Sequence, residues 1–242
     1  SKSSEHFNTK LYTGTGSAPN AQTGVGFKPD LLWIKPRNLA NSNRLHSPLL
    51  TAPDYYVMSE NTDAEATNNN SVTSFDTDGF TLGNTDAGWN GSYNYVAWNW
   101  KAAGTSGSAN TDGSINSTVS ANTTSGFSIV KYGDSTGTQT VGHGLGSDVK
   151  VLIIKNLTST NNWHVWHAGI PTSAIHLNES GAKTDSWFAT YQNSTAPTSS
   201  VFTVKSGGGD DTLGSSKNYI AYCFAEKTGF SKFGSYTGNG NA

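Results

Sequence analysis

Residues 94–100 read Asn-Tyr-Val-Ala-Trp-Asn-Trp, and this stretch decides the fold of the chain. Its side chains alternate in character with a period of two, as they do along a β-strand whose residues point to opposite faces. Val96, Trp98 and Trp100 share one face, and their size assigns that face to a core. Residues 218–224 (NYIAYCF) repeat the pattern, with Ile220, Tyr222 and Phe224 on the corresponding face. The sequence therefore predicts two equivalent core strands.

The two strands belong to a longer internal repetition. Residues 7–35 align with residues 127–155 without a gap, at a constant offset of 120. Residues 236–240 (YTGNG) also repeat the pattern of residues 12–16 (YTGTG). We therefore predict one domain over residues 7–102 and a second over residues 127–229. Residues 230–242 are either the start of a third copy or a strand that completes the second domain.

The stretch between the two copies, residues 103–126, is rich in Gly, Ser, Thr and Asn and matches nothing in the other copy. This composition favours a flexible linker. Ile115 and Val119 are its only large apolar residues, and in the alternative interpretation they anchor a short docked strand.

Composition points to an all-β protein. Only 13% of the residues are charged, about half the usual share. Seven Trp, ten Tyr and ten Phe supply enough apolar surface for a core, which excludes a disordered chain. The apolar runs are short, β-branched or aromatic, and separated by turn residues. We predict two tandem β-sandwich domains of jelly-roll type.

Charge and hydropathy exclude several partners. The net charge is −2 and no run of Lys or Arg occurs, so we expect no nucleic-acid partner. No apolar run is long enough to span a bilayer, and no signal peptide is recognisable at the start, so membrane insertion is not expected. The single cysteine, Cys223, cannot form a disulfide within one chain. Its apolar strand predicts a buried, inert thiol rather than a reactive one.

Several phrases of the sequence, in order, resemble a repeated domain in structural proteins of aquatic and marine tailed phages. They are FKPDLLWIKPRN (27–38), SFDTDGFTLG (74–83), NYVAWNWKAAG (94–104), SANTTSGFSIVKY (120–132), NSTAPTSSVFTV (193–204) and YIAYCFAEKTGFSKFGSYTGNG (219–240). The resemblance covers the chain from about residue 7 to its end. It implies a lectin-like sandwich of laminin-G or concanavalin type in a tail fibre, spike or other virion appendage. It brings no catalytic motif with it.

That resemblance also sets expectations for location and partners. A virion appendage is extracellular and contacts other virion proteins. Fibres and spikes are commonly trimers, so a homotrimer formed through a longer parent protein is expected. A cell-surface polysaccharide is the expected ligand of such a module.

The densest aromatic and polar cluster is Trp163-His164-Val165-Trp166-His167. On a strand, His164 and Trp166 point to the face opposite Trp163. An exposed Trp beside a His suits a sugar, because the ring stacks on the apolar face of a pyranose while polar groups hold its hydroxyls. The alternative is that one face is core and the other incidental.

Two further aromatic positions are candidate ligand-binding residues. Trp89, with Asn90 and Tyr93, occupies a Gly-flanked loop before a strand, and loops often carry function. Its alternative role is a lid that folds back over the end of the sandwich. Trp187 lies between strand-like segments of the second copy and is the other candidate.

Two acidic stretches are candidate calcium sites. Asp76-Thr77-Asp78-Gly79 resembles the start of a calcium loop but lacks the later ligands and closing Glu of an EF-hand. Asp210-Asp211 follows three glycines. The alternative for both stretches is a tight turn. No other metal or cofactor is predicted.

The sequence does not predict an enzyme. A glycan-cleaving site needs two carboxylates facing one bond, and the five Glu do not form the close acidic pattern of lectin-fold glycosidases. We expect an adhesion module that binds cell-surface glycans through shallow sites made effective by copy number. A purely structural module that contacts other virion proteins is the alternative, and burial of Trp89, Trp163 and Trp166 would favour it. A polysaccharide depolymerase is the third hypothesis.

Overall fold

A computed structural model of the chain describes residues 2–209 and 212–240. The strands of its N-terminal half are β1 (Phe7–Thr13), β2 (Asn20–Thr23), β3 (Leu31–Pro36), β4 (Arg44–His46), β5 (Tyr55–Tyr56), β6 (Ala66–Thr67), β7 (Val72–Asp76), β8 (Gly79–Leu82) and β9 (Asn94–Trp100). Those of its C-terminal half are β10 (Ser108–Asn110), β11 (Ser117–Asn122), β12 (Phe127–Gly133), β13 (Thr138–Gly142), β14 (Val149–Asn156), β15 (His164–His167), β16 (Ala174–His176), β17 (Val201–Lys205) and β18 (Asn218–Ala225). A single α-helix, α1 (Asp185–Gln192), lies between β16 and β17 in this described part. The prediction of an all-β protein is confirmed.

The named strands pair in antiparallel sheets. In the N-terminal half a sheet of order β1-β9-β3-β4 accompanies one of order β2-β8-β7. In the C-terminal half a sheet of order β10-β11-β12-β18-β14-β15-β16 accompanies the pair β13-β17. The two small strands β5 and β6 pair separately. Thus β9 lies between β1 and β3, as β18 lies between β12 and β14.

Corresponding tyrosines mark these two central strands. Tyr12 lies opposite Tyr95, and their rings stack at 5.0 Å between centroids. Tyr132 lies opposite Tyr219, and their rings stack at 5.3 Å. Each pair is buried beneath the smaller sheet of its own half.

Three apolar cores separate the sheets. The first core, between β1-β9-β3 and β2-β8-β7, contains Leu32, Phe80 and Tyr95. The second core, between the large C-terminal sheet and β13-β17, contains Leu152 and Phe202. The middle core joins the large sheets of the two halves; it consists of Leu31, Leu45, Leu49, Leu50, Val57, Ala102, Phe127, Ile129, Leu157, Trp163, Ile220 and Tyr222.

The middle core changes how the faces of β9 and β18 are assigned. Tyr95 and Ala97, on the face expected to lie away from the core, are fully buried in the first core. Trp100, on the face assigned to the core, is half-buried and packs against the middle core. Both faces of β9 are covered for part of its length, because the small sheet β2-β8-β7 packs on one face and the large C-terminal sheet on the other.

Residues 103–126 do not form the flexible linker expected first. β11 pairs with β12 along residues 118–122, and β10 pairs with β11. Val119 is buried in the second core, and Ile115 forms a bridge to Val141. The Gly- and Ser-rich stretch is therefore an added edge of the C-terminal sheet, held by its two large apolar residues.

The described part of the C-terminal stretch, residues 230–240, adds no strand to the sheet. A single bridge joins Lys227 and Ser231. The ring of Phe233 lies 6.1 Å from that of Phe224, and beyond it residues 234–240 are exposed, with Tyr236 94% accessible. Neither a complete third unit nor a closing strand is present in this described stretch.

Two further sequence predictions are addressed by the fold. Cys223 is fully buried in β18, which confirms the predicted burial. Burial raises the pKa of its thiol to about 12, which disfavours the reactive thiolate. Within the residues that the structure describes, no helix is long and apolar enough to cross a membrane.

Candidate functional site

The loop candidate Trp89 is a core residue. Its side chain has no exposed surface, and its indole N–H donates to Asn84 Oδ1 at 2.7 Å. Asn90 is equally buried and accepts from the Asn20 side-chain amide at 2.6 Å. Tyr93 is half-buried against the first core. A ring without exposed surface cannot stack on a sugar, so this loop acts as the lid of its sandwich.

Trp163 also lies inside the protein. It is fully buried in the middle core, and its indole N–H lies 3.0 Å from the Met58 carbonyl and 3.1 Å from the Asn61 carbonyl, both in the N-terminal half. Trp163 therefore forms a contact between the two halves and is not accessible to a ligand. Sheet packing across the halves, which has no local signature in sequence, explains the difference.

The neighbours of Trp163 are mostly buried as well. His164 is fully buried, its Nε2 lies 2.8 Å from Gln192 Oε1, and burial lowers its pKa to about 4. Trp166 is 3% exposed and donates to the Pro171 carbonyl. Trp187 is half-buried on α1 and stacks on His176 at 3.8 Å. Of this group, only Trp187 keeps appreciable exposed surface.

The carboxylates of the predicted calcium loop serve the backbone and a neighbouring hydroxyl. Asp78 accepts from the Gly24 N–H at 2.9 Å and the Gly26 N–H at 2.6 Å, and these bonds lower its pKa. Asp76 accepts from the Thr81 hydroxyl at 2.7 Å. The arrangement is that of a hairpin turn. Asp210 and Asp211, the second candidate, lie outside the described residues.

No group of three or more His, Cys, Asp or Glu side chains that could hold a metal ion occurs in the described parts of the chain. A site must therefore be sought among other side chains.

A continuous row of aromatic rings crosses from one half to the other. We call it the aromatic seam; it consists of Trp98, Trp33, Trp100, Phe7, Phe127, Phe224 and Phe233. Trp33 lies 6.0 Å from Trp98 and 6.4 Å from Trp100. Trp100 lies 4.8 Å from Phe7 and 6.4 Å from Phe127. Phe224 continues the row, 5.0 Å from Phe127.

The large sheets place these rings together because the seam residues occupy one face of each strand. Phe7 lies directly opposite Trp100, and Phe127 directly opposite Phe224. Trp33 lies opposite Trp98 on the next strand. Phe127 is buried in the middle core, whereas Phe7 remains 40% exposed.

The seam opens to solvent in two places. The first is a shallow depression, which we call the platform, lined by Phe7, Trp33, Trp98 and Trp100 and about 350 Å³ in volume. The second, the seam cleft, has about 380 Å³ between the halves and the C-terminal stretch, with Phe230 and Phe233 on its wall. Because Phe7 and Trp100 line both, the two openings adjoin.

Polar groups lie at the edge of the cleft. Ser3, Ser125, Ser231 and His6 are among its lining residues, and of the three serines Ser125 has a buried hydroxyl oxygen. Burial, assisted by the positive charge of Lys101, lowers the pKa of His6. No carboxylate occurs among the described residues that line either opening. This chemistry suits binding of an uncharged ligand with one apolar face.

The sequence carries a signal for this site in its aromatic positions. The alternation of residues 94–100 assigns Trp98 and Trp100 to a core, and Phe7 aligns with Phe127 at the offset of 120. Yet Phe7 is 40% exposed whereas Phe127 is 3% exposed. A core assignment based on size could not show which of the two aligned positions would be left uncovered.

The fold is that of an all-β protein of stacked antiparallel sheets, and its row of aromatic rings runs from one half to the other. The chain belongs to the family described as Domain of unknown function (DUF7483), whose model matches residues 2–242. The match includes both halves and every residue of the seam. Comparison with curated proteins and with solved structures gives no match.

Proposed function

We propose that this protein is a non-catalytic adhesion module of a virion appendage that binds cell-surface glycans at the platform of the aromatic seam. The observation that carries the proposal is the platform itself: four adjoining rings, Phe7, Trp33, Trp98 and Trp100, line one accessible depression. Contiguous exposed aromatic surface of this kind marks interaction sites on soluble proteins.

Ring chemistry favours a saccharide as the ligand. The apolar C–H face of a pyranose stacks on a flat aromatic ring, and neighbouring rings at different tilts accept successive sugar units. Trp33 and Trp98 meet at 80° and Trp100 and Phe7 at 54°, so the platform is angled rather than flat. Ser3 and Ser231, which line the adjoining cleft, carry the hydroxyls nearest to such a ligand, and the Ser231 hydroxyl, which donates to the Ala225 carbonyl, can accept from a sugar hydroxyl.

We further propose that the two halves are tandem jelly-roll units of lectin-like type, fused back to back through the middle core. The matching neighbours of β9 and β18 support this interpretation. One shallow site for each chain gives weak binding, and an appendage carrying many chains would raise the avidity without new contacts.

A glycan-array screen of the purified chain tests the proposal. We expect binding to bacterial or algal surface polysaccharides, loss of that binding in Trp98→Ala, and retention in Tyr236→Ala. Tyr236 is the matched control because it is an aromatic side chain, 94% exposed, outside both openings. Absence of binding across a broad array, or an equal loss of glycan binding in both variants, would contradict the proposal.

A second candidate is a structural module that contacts only other virion proteins. It is favoured by the burial of Trp89, Trp163 and Trp166, which removes three predicted sugar contacts. In this case the seam cleft would receive apolar side chains of a neighbouring virion protein. A photo-crosslinking residue at position 7, placed in assembled particles, should then give adducts with a virion protein other than a second copy of this chain, whereas the adhesion module should give no such adduct in the absence of host cells.

A further inference from the structure

The two halves differ at one sheet edge. In the C-terminal half, β12 is covered by β11, whereas the corresponding strand β1 is the last strand of its sheet. Phe7 is 40% exposed and Leu11 56% exposed, and both lie on β1. Natural proteins usually protect such edges with charges, prolines or bulges, because an uncovered apolar edge pairs with another chain.

The backbone of β1 has a defined set of outward groups. The Lys101 N–H donates to the His6 carbonyl at 2.8 Å, which fixes the alternation of hydrogen-bonded pairs between β1 and β9. Asn8, Lys10 and Tyr12 therefore pair with β9, and Phe7, Thr9 and Leu11 direct their backbone groups outward. No strand of the described residues pairs with that outer side.

We propose that β1 pairs antiparallel with β1 of a second copy of this chain, about a two-fold axis at Thr9. In this register Phe7 lies opposite the partner's Leu11, and Asn8 opposite the partner's Lys10. The exposed apolar side chains thus meet on one face, and polar side chains meet on the other. The interface is isologous, since each copy contributes the same strand.

A strand resembling β11 fits this edge less well. In the C-terminal half, Val119 of β11 lies opposite Val130, and both are buried in the second core. The position of β1 that aligns with Val130 is Lys10. A strand resembling β11 would therefore place an apolar residue, equivalent to Val119, opposite Lys10. A second copy of β1 instead places its Asn8 opposite Lys10.

Pairing of two β1 strands would also set the relative orientation of the two platforms, whatever ligand they bind. Side chains of paired positions lie on the same face of a sheet, so the platforms of both copies would face the same side of one continuous sheet. The two sites would then approach one surface together.

Cysteine crosslinking tests the pairing. Thr9→Cys would place two thiols on residues whose Cα atoms are about 5.5 Å apart, within disulfide range. The native Cys223 is fully buried and does not compete. Thr13→Cys is the control, because Thr13 is also exposed on β1 and the two copies of this residue would be separated by about 26 Å.

We expect the disulfide-linked dimer of Thr9→Cys to form at least about tenfold faster than that of Thr13→Cys, because only the first pair meets the geometric requirement. The unmodified protein should show a concentration-dependent dimer in sedimentation equilibrium that Leu11→Lys abolishes. Equal crosslinking rates of both variants, with a monomer at every concentration, would overturn the proposal. So would a monomer whose β1 amides become protected when a peptide of residues 105–124 is added, since that result assigns the edge to a β11-like strand.

Discussion

The ring of Trp100, the last residue of β9, lies 6.4 Å from the ring of Phe127, the first residue of β12. The two residues belong to different halves of the sequence, yet they contact the same core. Asp30 ties the crossing chain in place by accepting from the Ala102 and Gly104 N–H groups at 2.6 and 2.9 Å. The halves are therefore joined by packing as well as by the chain.

Replacing Trp163 by alanine should destabilise the whole protein. The indole is fully buried between the halves and donates to carbonyls of the N-terminal half. Removing a buried Trp typically costs about 3 to 5 kcal/mol in the free energy of unfolding. Urea titrations followed by circular dichroism and by tryptophan fluorescence should give one coincident transition at a lower midpoint.

The control for this variant is Tyr236→Ala, for which we expect a change within about 0.5 kcal/mol because the side chain is exposed. Two separate urea transitions, of which only one moves in Trp163→Ala, would show that the halves unfold independently. The shared middle core would then contribute little to stability.

His46 should make the protein sensitive to acid. It is fully buried beside Tyr56 and Trp89, and burial lowers its pKa to about 4. The unfolded chain binds a proton near pH 6.5, whereas the folded chain does so only near pH 4. Stability therefore falls as the pH drops through this window, by at most about 3 kcal/mol for this group, and the loss is complete below pH 4.

His46→Phe isolates this contribution. Neither ring nitrogen of His46 makes a hydrogen bond of good geometry among the described residues, and the nearby backbone of Pro53 and Tyr55 offsets only part of the effect of burial on its pKa, so a phenyl ring loses little there. Thermal melts at pH 7 should show that the variant is as stable as the wild type or more stable. Between pH 6.5 and 4, the stability of the variant should decline less steeply than that of the wild type. The comparison is His164, which has the same lowered pKa but is bonded to Gln192, so that His164→Phe should destabilise at neutral pH as well. Parallel pH profiles for wild type and His46→Phe would refute this explanation.

Asp78 should stabilise a turn rather than bind a calcium ion. Both of its carboxylate oxygens accept backbone N–H groups, from Gly24 and Gly26. Asp78→Ala should lower the melting temperature, and millimolar calcium should leave the melting temperature of the wild type unchanged. The lowered pKa of Asp78 means that its contribution is present above the unfolded pKa and is lost as the pH falls through the folded value. A rise in melting temperature with calcium that is lost in Asp78→Ala would contradict this explanation and support a calcium site at Asp78.

Much of the fold follows from sequence because it depends on local pattern. The alternation in residues 94–100 and 218–224 predicts two central strands, and those strands are β9 and β18. The strand β11 in residues 103–126 was harder to predict because the stretch is rich in Gly and Asn, which are depleted in strands. Its position depends on two apolar side chains, Ile115 and Val119, and on a sheet edge elsewhere in the chain.

The site was harder to predict than the fold. Trp89 and Trp163 have the sequence context of exposed aromatics, with glycines, histidines and asparagines around them, yet both are buried by segments distant in sequence. Trp98 has the context of a core residue and is accessible in the platform. Exposure depends on which segments, distant in sequence, pack over each ring, and no local pattern records that packing.

Observing the tryptophan side chains directly provides the sharpest test of the platform. The chain has seven Trp residues, so its ¹H–¹⁵N spectrum should contain seven indole signals that single Trp→Phe variants can assign. On titration with a polysaccharide that the chain binds, we predict shifts at Trp98, Trp33 and Trp100, with Trp89 and Trp166 unchanged. Shifts at Trp187 alone, or none in the platform, would contradict the assignment of glycan binding to the aromatic seam.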